Sequence, residues 1–417
     1  MNSRAVAAGV VSKWLSDGGF VERLLDPVAA DRAFVTEMVY GVVKGRRTLE
    51  WIAARCSRRQ PDPATLPFLM IGLCQTWFMS NVEEYAAVNE TVTAAKAVLG
   101  DARGGFVNAV LRRALREKAL IERELVAASL GVRESHPDLL VDRWVSTKGL
   151  RQATRLCRWN NERPRTVIRI NLLRTDMGSF RSELEQHDMA VVPHPFAPER
   201  CIVLPPGVRV EDVPGYAEGL FCVQDPSTLA PVQMLDPQPG ETVLDACAAP
   251  GGKAIFIGEL MQGKGALVAM DLVDGRLDLL RKNRDRARMD FMEIRRGNAG
   301  AASRLLGGRT FDAILADVPC TNTGTLRRRA EARWRFSAKR LSDLMDTQRS
   351  ILDGLAALLR PGGRIVYSTC SLEREENEKQ VTSWIRKRPD FSIVRESLLF
   401  PPDTDTDGGY SALLRRG

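Results

Sequence analysis

Histidine is scarce in this 417-residue chain: three copies, His136, His187 and His194, all lie in the first half. Whatever chemistry the C-terminal half performs therefore proceeds without an imidazole as base, metal ligand or triad member. Cysteine is present at Cys56, Cys74, Cys157, Cys201, Cys222, Cys247, Cys320 and Cys370, but no Cys-x-x-Cys pair occurs and the spacing is scattered. That pattern argues against a disulfide framework and against zinc, so no metal site is expected. No apolar run approaches the roughly eighteen residues that suggest a membrane span. The N-terminus, MNSRAVAAGVVSKWLSDGGF, lacks a cleavage-site pattern and reads as one amphipathic helix around Lys13, Trp14 and Leu15. Repeats and low-complexity tracts are absent too. A monomer in a reducing cytoplasm, with no membrane attachment, is the expectation.

What is present is ordinary globular material with a basic bias. Hydrophobic residues make up 44% and charged residues 27%, enough for real cores, and the formal charge of +8 favours a polyanionic partner such as nucleic acid. The length exceeds the roughly 100–200 residues of one domain, which predicts a multidomain chain. Residues 1–140 read as an all-α bundle. RAFVTEMVYGVVKGRRTLEWIAARC carries apolar residues at helical spacing, LPFLMIGLCQTWFM is a buried helix, and VNETVTAAKAVL and GGFVNAVLRRALREKAL continue the pattern. Glycine and proline are expected between these helices, with Gly104-Gly105 opening the last. Residues 141–235 read as a small α+β module: RTVIRINLLR, CIVLP, VRVEDV and LFCVQD as strands and SFRSELEQHD as a helix. Residues 236–417 read as an α/β, Rossmann-like, doubly wound domain with strands at TVLDA, ALVAMD, FMEIRR, FDAILADV and GRIVYSTC, and one more in the terminal PPDTDTDGGYSALLRRG.

The first of these strands runs into Leu244-Asp245-Ala246-Cys247-Ala248-Ala249-Pro250-Gly251-Gly252-Lys253 and then a helix. Glycines at such a turn let a ligand approach the backbone, and the helix N-terminus offers free N–H donors. Asp271 ends the second strand, where a carboxylate accepts hydrogen bonds from ribose hydroxyls. The turn lacks the dinucleotide spacing, so NAD is disfavoured; a tight βα turn with a chance acidic strand end is the plain alternative. GELMQGKG, from Gly258 to Gly265, mimics a phosphate loop but sits at a helix end before a strand, the wrong order for that motif.

The fourth strand ends in Asp317-Val318-Pro319-Cys320 and the fifth in Thr369-Cys370-Ser371. Ligands gather at the carboxyl ends of strands in a doubly wound sheet, and strands one, four and five are usually neighbours. Two cysteines fifty residues apart are therefore expected in one crevice. Either alone is more often a buried small hydrophobe. A thiolate pair suits addition to C6 of a pyrimidine, which makes C5 nucleophilic enough to take a methyl group. Asp317 is placed to hydrogen-bond the N3/N4 edge of the ring, and Lys253 to favour the thiolate. Which cysteine attacks stays open on these grounds.

LDACAAPGGK, ADVPCTNTGTLRRR…RW and YSTCSLEREENE, together with VIRINLLRTD, FCVQDPSTL and DGGYSALLRR, resemble the signature blocks of the RsmB/Sun (NOL1/NOP2/Sun) family of RNA cytosine-5 methyltransferases. YAAVNETVTAAKAV and GFVNAVLRRALR resemble the NusB-like RNA-binding domain of its RsmB branch. The resemblance spans essentially the whole chain. It implies S-adenosylmethionine as cofactor, bound by Cys247, Ala248, Ala249, Pro250, Gly251, Gly252 and Lys253, with Asp271, Arg276, Asn298 and Asp317. It implies Cys370 as the nucleophile and Cys320 as the residue that releases product, with small-subunit ribosomal RNA as substrate. Gly297-Asn298-Ala299 stands where the family usually has an acidic residue, Thr321-Asn322 where Ser-Gly is common, and Gly409-Tyr410 where an aromatic pair is commoner.

Arg327, Arg328, Arg329, Arg333, Arg335, Lys339 and Arg340, interleaved with Trp334 and Phe336, read as an RNA surface in which cations meet phosphates and aromatics stack on bases. A solvated basic helix with Trp334 packed inward is the competing reading. Arg112, Arg113, Arg116 and Lys118 form a second basic stretch. A thiolate reaches C6 only in an unstacked base, so a single-stranded or loop cytosine is expected. Two other functions compete. Amino-group methylation of a purine would call for an [DN]-P-P-[YF] turn where this chain has Asp-Val-Pro-Cys. An RNA-binding ribosome-assembly or antitermination-like factor with a non-catalytic methyltransferase domain is disfavoured by the intact cysteines and Asp317.

Overall fold

A computed structural model of the chain describes residues 2–28 and 31–417. They form two units. The first comprises Met1–Glu162 and Leu326–Phe336, the second Arg163–Thr325 and Ser337–Gly417.

The first unit is helical. Its longest helix, Arg32–Cys56, buries Val35, Met38, Val39, Val42, Val43, Leu49 and Ile52, the i, i+3, i+4 stripe of a core-facing helix. Leu66–Phe78 is buried on nearly every side, and Glu84–Leu99 and Asp101–Arg116 complete the bundle with Ser3–Asp17. Glycine does not only punctuate here, contrary to the sequence expectation. Gly104-Gly105 lies inside the helix Asp101–Arg116, which starts after Gly100 instead. A Cβ at Gly104 would meet Lys96 Cγ at 2.2 Å, so the missing side chain lets two helices touch. A further helix, Asp138–Asn161, was not legible as such; Gly149 breaks it with a φ of 79°.

The segment Leu326–Phe336 corrects the expectation of an RNA surface. Arg333 is fully buried, donating to the Ser135 carbonyl at 3.1 Å, Asn161 Oδ1 at 2.8 Å and the Asn160 carbonyl at 3.1 Å. Burial pulls its guanidinium down to about 9. Trp334 Nε1 donates to the Val43 carbonyl at 2.7 Å, and Arg327 and Arg335 lie 4.0 Å over the rings of Trp159 and Phe20. Aromatic faces and carbonyls of the protein have taken the roles assigned to bases and phosphates. Arg329, Lys339 and Arg340 remain exposed. In the second basic stretch Arg113 pairs with Glu117 at 2.8 Å and Lys118 with Glu84, while Arg112 and Arg116 face solvent.

The second unit begins with a small antiparallel sheet of β1 (Val167–Ile170), β2 (Val192–Pro193), β3 (Cys201–Val203) and β4 (Phe221–Val223), in the order β2-β3-β1-β4. The helix Met177–Gln186, capped by Asp176 on the Ser179 amide at 2.9 Å, packs on it. VRVEDV is not a strand; Val210–Asp212 is a single tight helical turn.

The larger sheet holds β5 (Thr242–Asp245), β6 (Ala266–Asp271), β7 (Met292–Arg296), β8 (Phe311–Asp317), β9 (Leu359–Thr369), β10 (Phe391–Leu399) and β11 (Gly409–Arg416). Its order is β10-β11-β9-β8-β5-β6-β7: five parallel strands, then β11 antiparallel to β9 and β10 antiparallel to β11. β10 escaped the sequence because FSIVRESLL is an edge strand whose alternation is broken by a register shift at Ile393/Arg395. Successive strand residues face opposite layers. Val243, Leu267 and Leu315 join one core with Ile255, Phe256 and Leu277; Leu244, Val268 and Ile314 join another with Leu352, Leu355 and Trp384.

A buried ion pair fastens the small sheet to the helix Gly252–Leu260 that follows β5. Arg169 of β1 and Glu259, within the mock phosphate loop, meet at 2.6 Å with side chains 0% and 2% exposed. Arg169 also donates to Gln224 at 2.7 Å and stacks on Phe256. The GELMQGKG segment is thus a structural anchor.

Candidate active site

Parallel pairing puts Asp245, Asp271, Asp317 and Thr369 at the same edge of the sheet, because each is the last residue of its strand. β5, β8 and β9 are direct neighbours, with Asp317 in register with Ser368. The turns that leave β8 and β9 consequently bring the two sulfurs together: Cys320 Sγ and Cys370 Sγ are 3.2 Å apart.

Their surroundings differ. Cys320 is buried, whereas Cys370 is half-buried and lines a cleft together with Lys253, Asp317, Ser368 and Tyr410. The hydrogen bond to Cys370, then burial, then the charge on Cys370 push the Cys320 thiol well above the usual range. Asn322, in the left-handed region with φ of 62°, lies against both. Its Nδ2 donates to the Cys320 carbonyl at 3.0 Å and its Oδ1 accepts from Cys370 Sγ at 3.1 Å.

One buried carboxylate ties the two cysteine turns. Glu376 accepts from the Thr321 amide at 2.9 Å, from the Thr321 hydroxyl, from Ser371 Oγ at 2.5 Å and from Gln348 Nε2 at 2.9 Å. Thr321 and Ser371 directly follow Cys320 and Cys370. Gln348 also donates to the Pro319 carbonyl at 3.0 Å, and Asn377 bridges Thr369 Oγ1 and the Ser371 carbonyl at 2.7 and 2.9 Å. Burial raises the Glu376 carboxyl above the usual range against these donors. Sequence reasoning missed Glu376, Asn377 and Gln348; the only signal was a Glu-Asn pair in YSTCSLEREENE, indistinguishable there from a polar helix start.

Beside the sulfurs, Lys253 Nζ meets Asp317 Oδ2 at 2.8 Å and Ser368 Oγ donates to Asp317 Oδ1 at 2.8 Å. Burial lowers the Lys253 ammonium, but Asp317, Asp245 and Cys370 together outweigh it and leave the group raised. Lys253 therefore stays a cation beside the sulfurs, and its hydrogen bond goes to Asp317. Asp245 was overlooked. It is fully buried, and neither carboxylate oxygen makes a well-formed hydrogen bond; the Cys247 amide faces it and offsets only part of the cost. Burial, and after it the nearby Asp317 charge, raises its carboxyl to about 7.

The turn Cys247–Gly252 follows β5 as anticipated. Gly251 adopts a φ of 112°, where a Cβ would be strained and would strike Leu280 at 2.7 Å. Asp271 Oδ2 accepts from the Ala249 amide at 3.1 Å and Oδ1 from Leu272 at 2.9 Å. Arg276 spans Asp271 Oδ2 at 3.3 Å and the Ala249 carbonyl at 2.6 Å, and Asn283 holds the Pro250 carbonyl at 2.9 Å. Cys247 is half-buried, with its thiol raised by burial and then by Asp245. Asn298 is exposed just past the end of β7, and its Oδ1 accepts from the Gly300 amide at 2.9 Å. Among the described residues no cluster of His, Cys, Asp and Glu has the makings of a metal site, and no helix is long and apolar enough to cross a membrane.

A sheet of five parallel strands, extended beyond β9 by an antiparallel pair and carrying its ligand turn after the central strand, is that of a Rossmann-like methyltransferase; here it follows a NusB-like helical domain. Residues 232–413 match the family described as 16S rRNA methyltransferase RsmB/F, residues 1–116 the NusB family, and residues 136–211 the ferredoxin-like domain of RsmF/B-like methyltransferases. The chain is 34% identical over 375 residues to the probable ribosomal RNA small subunit methyltransferase B of Synechocystis sp., covering 87% of this chain and 82% of that one. It is 32% identical over 431 residues to ribosomal RNA small subunit methyltransferase B of Vibrio cholerae, covering 100% and 98%. The crystal structure of PH0851 shares the fold at a TM-score of 0.82 and 23% identity, covering 100% of this chain and 99% of that one. This chain belongs to the ribosomal RNA small subunit methyltransferase B family, whose methyltransferases use S-adenosylmethionine.

Proposed function

We propose that the protein methylates C5 of a cytosine in ribosomal RNA, of the small subunit as its relatives' names have it, through a covalent bond between Cys370 and C6 of the base. The observation that carries this reading is the asymmetry of the sulfur pair: Cys370 opens onto the cleft, and Cys320 sits buried behind it at 3.2 Å.

The residues fit the cofactor. An unpaired carboxylate buried beside a ligand turn suits a cationic ligand, and Asp245 is one. Asp271 and Arg276 offer polar partners for ribose hydroxyls, and the exposed Leu272 and Val273 offer an apolar face for a flat ring, with the Asn298 amide near an adenine edge. Cys247, Ala248, Ala249, Pro250, Gly251, Gly252 and Lys253 would hold the chain of the ligand against the helix N-terminus. When bound, S-adenosylmethionine supplies an electrophilic methyl group.

Cys370 adds to C6, which makes C5 nucleophilic. Asp317, held by Lys253 and Ser368, accepts from the exocyclic amine and fixes the ring. The leading cause that keeps Cys320 protonated is the Cys370 sulfur. Once that sulfur is a thioether, its hydrogen bond and its charge no longer hold the Cys320 proton; that proton passes to solvent, and the Cys320 thiolate takes the proton from C5. The C6–S bond then breaks, Cys370 leaves as thiolate, and 5-methylcytosine is released. The geometry thus offers a physical reason for the division of labour that the resemblance implies.

For the remaining regions we propose RNA docking by the helical domain, residues 1–140, through Arg112 and Arg116, with residues 141–235 as a connecting module fused to the catalytic domain, 236–417. A single-stranded or loop target is required, since C6 is shielded in a stack. The test is transfer of labelled methyl groups to ribosomal RNA from cells lacking the enzyme, with the product nucleoside identified. Labelled 5-methylcytosine that disappears in Cys370→Ala is the expected result. Label on a purine, or transfer unaffected by Cys370→Ala, would overturn the reading.

A further inference from the structure

Asn322 contacts both halves of the sulfur pair, and the orientation of its amide follows from hydrogen-bond chemistry. The Cys320 carbonyl only accepts, so the atom facing it at 3.0 Å must be the NH2 group. The amide oxygen is thereby turned toward Cys370 Sγ at 3.1 Å. An acceptor at that distance favours the protonated sulfur, because a thiolate would face the oxygen lone pair. The backbone of the same residue points the other way in its effect. Its N–H faces the Cys320 sulfur and works against the causes that keep Cys320 protonated.

We propose that Asn322 is a positioning residue: it aims Cys370 and, opposing the Lys253 ammonium that lines the same cleft, favours the proton on that sulfur until substrate engages. The thiol so held lies 3.2 Å from Cys320 Sγ and still lines the cleft. Free in the cell, a permanently ionised Cys370 would be open to electrophiles and oxidants; a capped thiol at the same place is protected between turnovers. The position itself does not demand asparagine. A φ of 62° suits glycine at least as well. The side chain is therefore an addition to a turn that needs none.

That makes the inference testable without disturbing the fold, since Asn322→Gly keeps the backbone conformation. The measurement is the pH dependence of Cys370 alkylation by iodoacetamide in the full-length protein, with the modified peptide identified by mass spectrometry. At neutral pH, Asn322→Gly should alkylate about three- to tenfold faster than the parent, with its profile displaced to lower pH. Asn322→Asp, a stronger acceptor, should alkylate more slowly with its profile displaced upward. Three superimposable profiles, or a slower glycine variant, would overturn the proposal. The importance of the latch rests on Cys370 being the attacking thiol, but alkylation needs no RNA. A displaced alkylation profile beside an unchanged pH profile of methyl-transfer kcat would leave the latch standing and count against the role of Cys370.

Discussion

Residues 317–325 and 326–336 are consecutive, and both carry residue types that suggest function, yet the structure puts them to opposite uses. The first supplies Asp317 and Cys320 at the carboxyl edge of the sheet, beside Cys370. The second buries Arg333 and half-buries Trp334 within the helical unit, where protein carbonyls accept their hydrogen bonds. The difference is one of constraint. A strand that must lie next to β5 and β9 fixes where its last residue falls, so a cysteine there can be located from sequence. A run of arginines fixes nothing, because a guanidinium is as well satisfied by carbonyls and aromatic faces as by phosphates.

Replacing residues across this boundary should separate the two uses. The largest effect is expected for Cys370→Ala, with methyl transfer falling by roughly 10⁴-fold or more and the melting temperature little changed. Arg333→Ala should do the reverse in kind. Its three lost hydrogen bonds leave buried acceptors unsatisfied, and denaturant unfolding should show a loss of about 3 kcal/mol. Unchanged stability with weakened, less salt-dependent RNA binding would restore Arg333 to the RNA surface. A smaller and pH-dependent change is expected at Asp245. Its folded carboxyl is raised to about 7 against an ordinary value near 3.8, so the fold binds a proton that the unfolded chain has released between those values. Stability therefore falls as pH rises from about 4 to 7, and the cost of ionising the buried group is full above that window. Asp245→Asn should remove this slope and stabilise the ligand-free protein at pH 8 by a few kcal/mol, on the order of the shift itself. Denaturant midpoints measured across pH check it. The smallest effect belongs to exposed Arg340, where alanine should leave stability unchanged and lower the salt slope of RNA binding by about 0.7–0.9 if that side chain meets a phosphate.

Much of the architecture was legible because it rests on periodicity and topology. The five parallel strands end where the apolar runs end, and the strand-end rule joined Cys320 and Cys370 across fifty residues of sequence. What escaped was of two kinds. β10 and the helix Asp138–Asn161 lack a clean apolar rhythm, one being a bulged edge strand and the other broken at Gly149. Glu376 escaped because its role depends on where the residues after each cysteine come to rest. A glutamate that receives Thr321, Ser371 and Gln348 looks, in one dimension, like any solvated glutamate. The same holds for Arg169 and Glu259, whose partnership between a strand and a helix ninety residues apart has no spacing to betray it. The division of labour between the cysteines was open from residue types alone; the two differ in burial, Cys320 being buried and Cys370 lining the cleft, and the roles proposed for them rest on that difference.

The central claim is that Cys370 forms the bond to RNA and Cys320 is needed to break it. Cys320→Ala, incubated with unmethylated ribosomal RNA and S-adenosylmethionine and run on a denaturing gel, measures it directly. A protein–RNA adduct that survives denaturation, and that is lost when Cys370→Ala is added to the same chain, is the predicted result. Normal turnover by Cys320→Ala with no trapped adduct, or an adduct that persists without Cys370, would contradict the account.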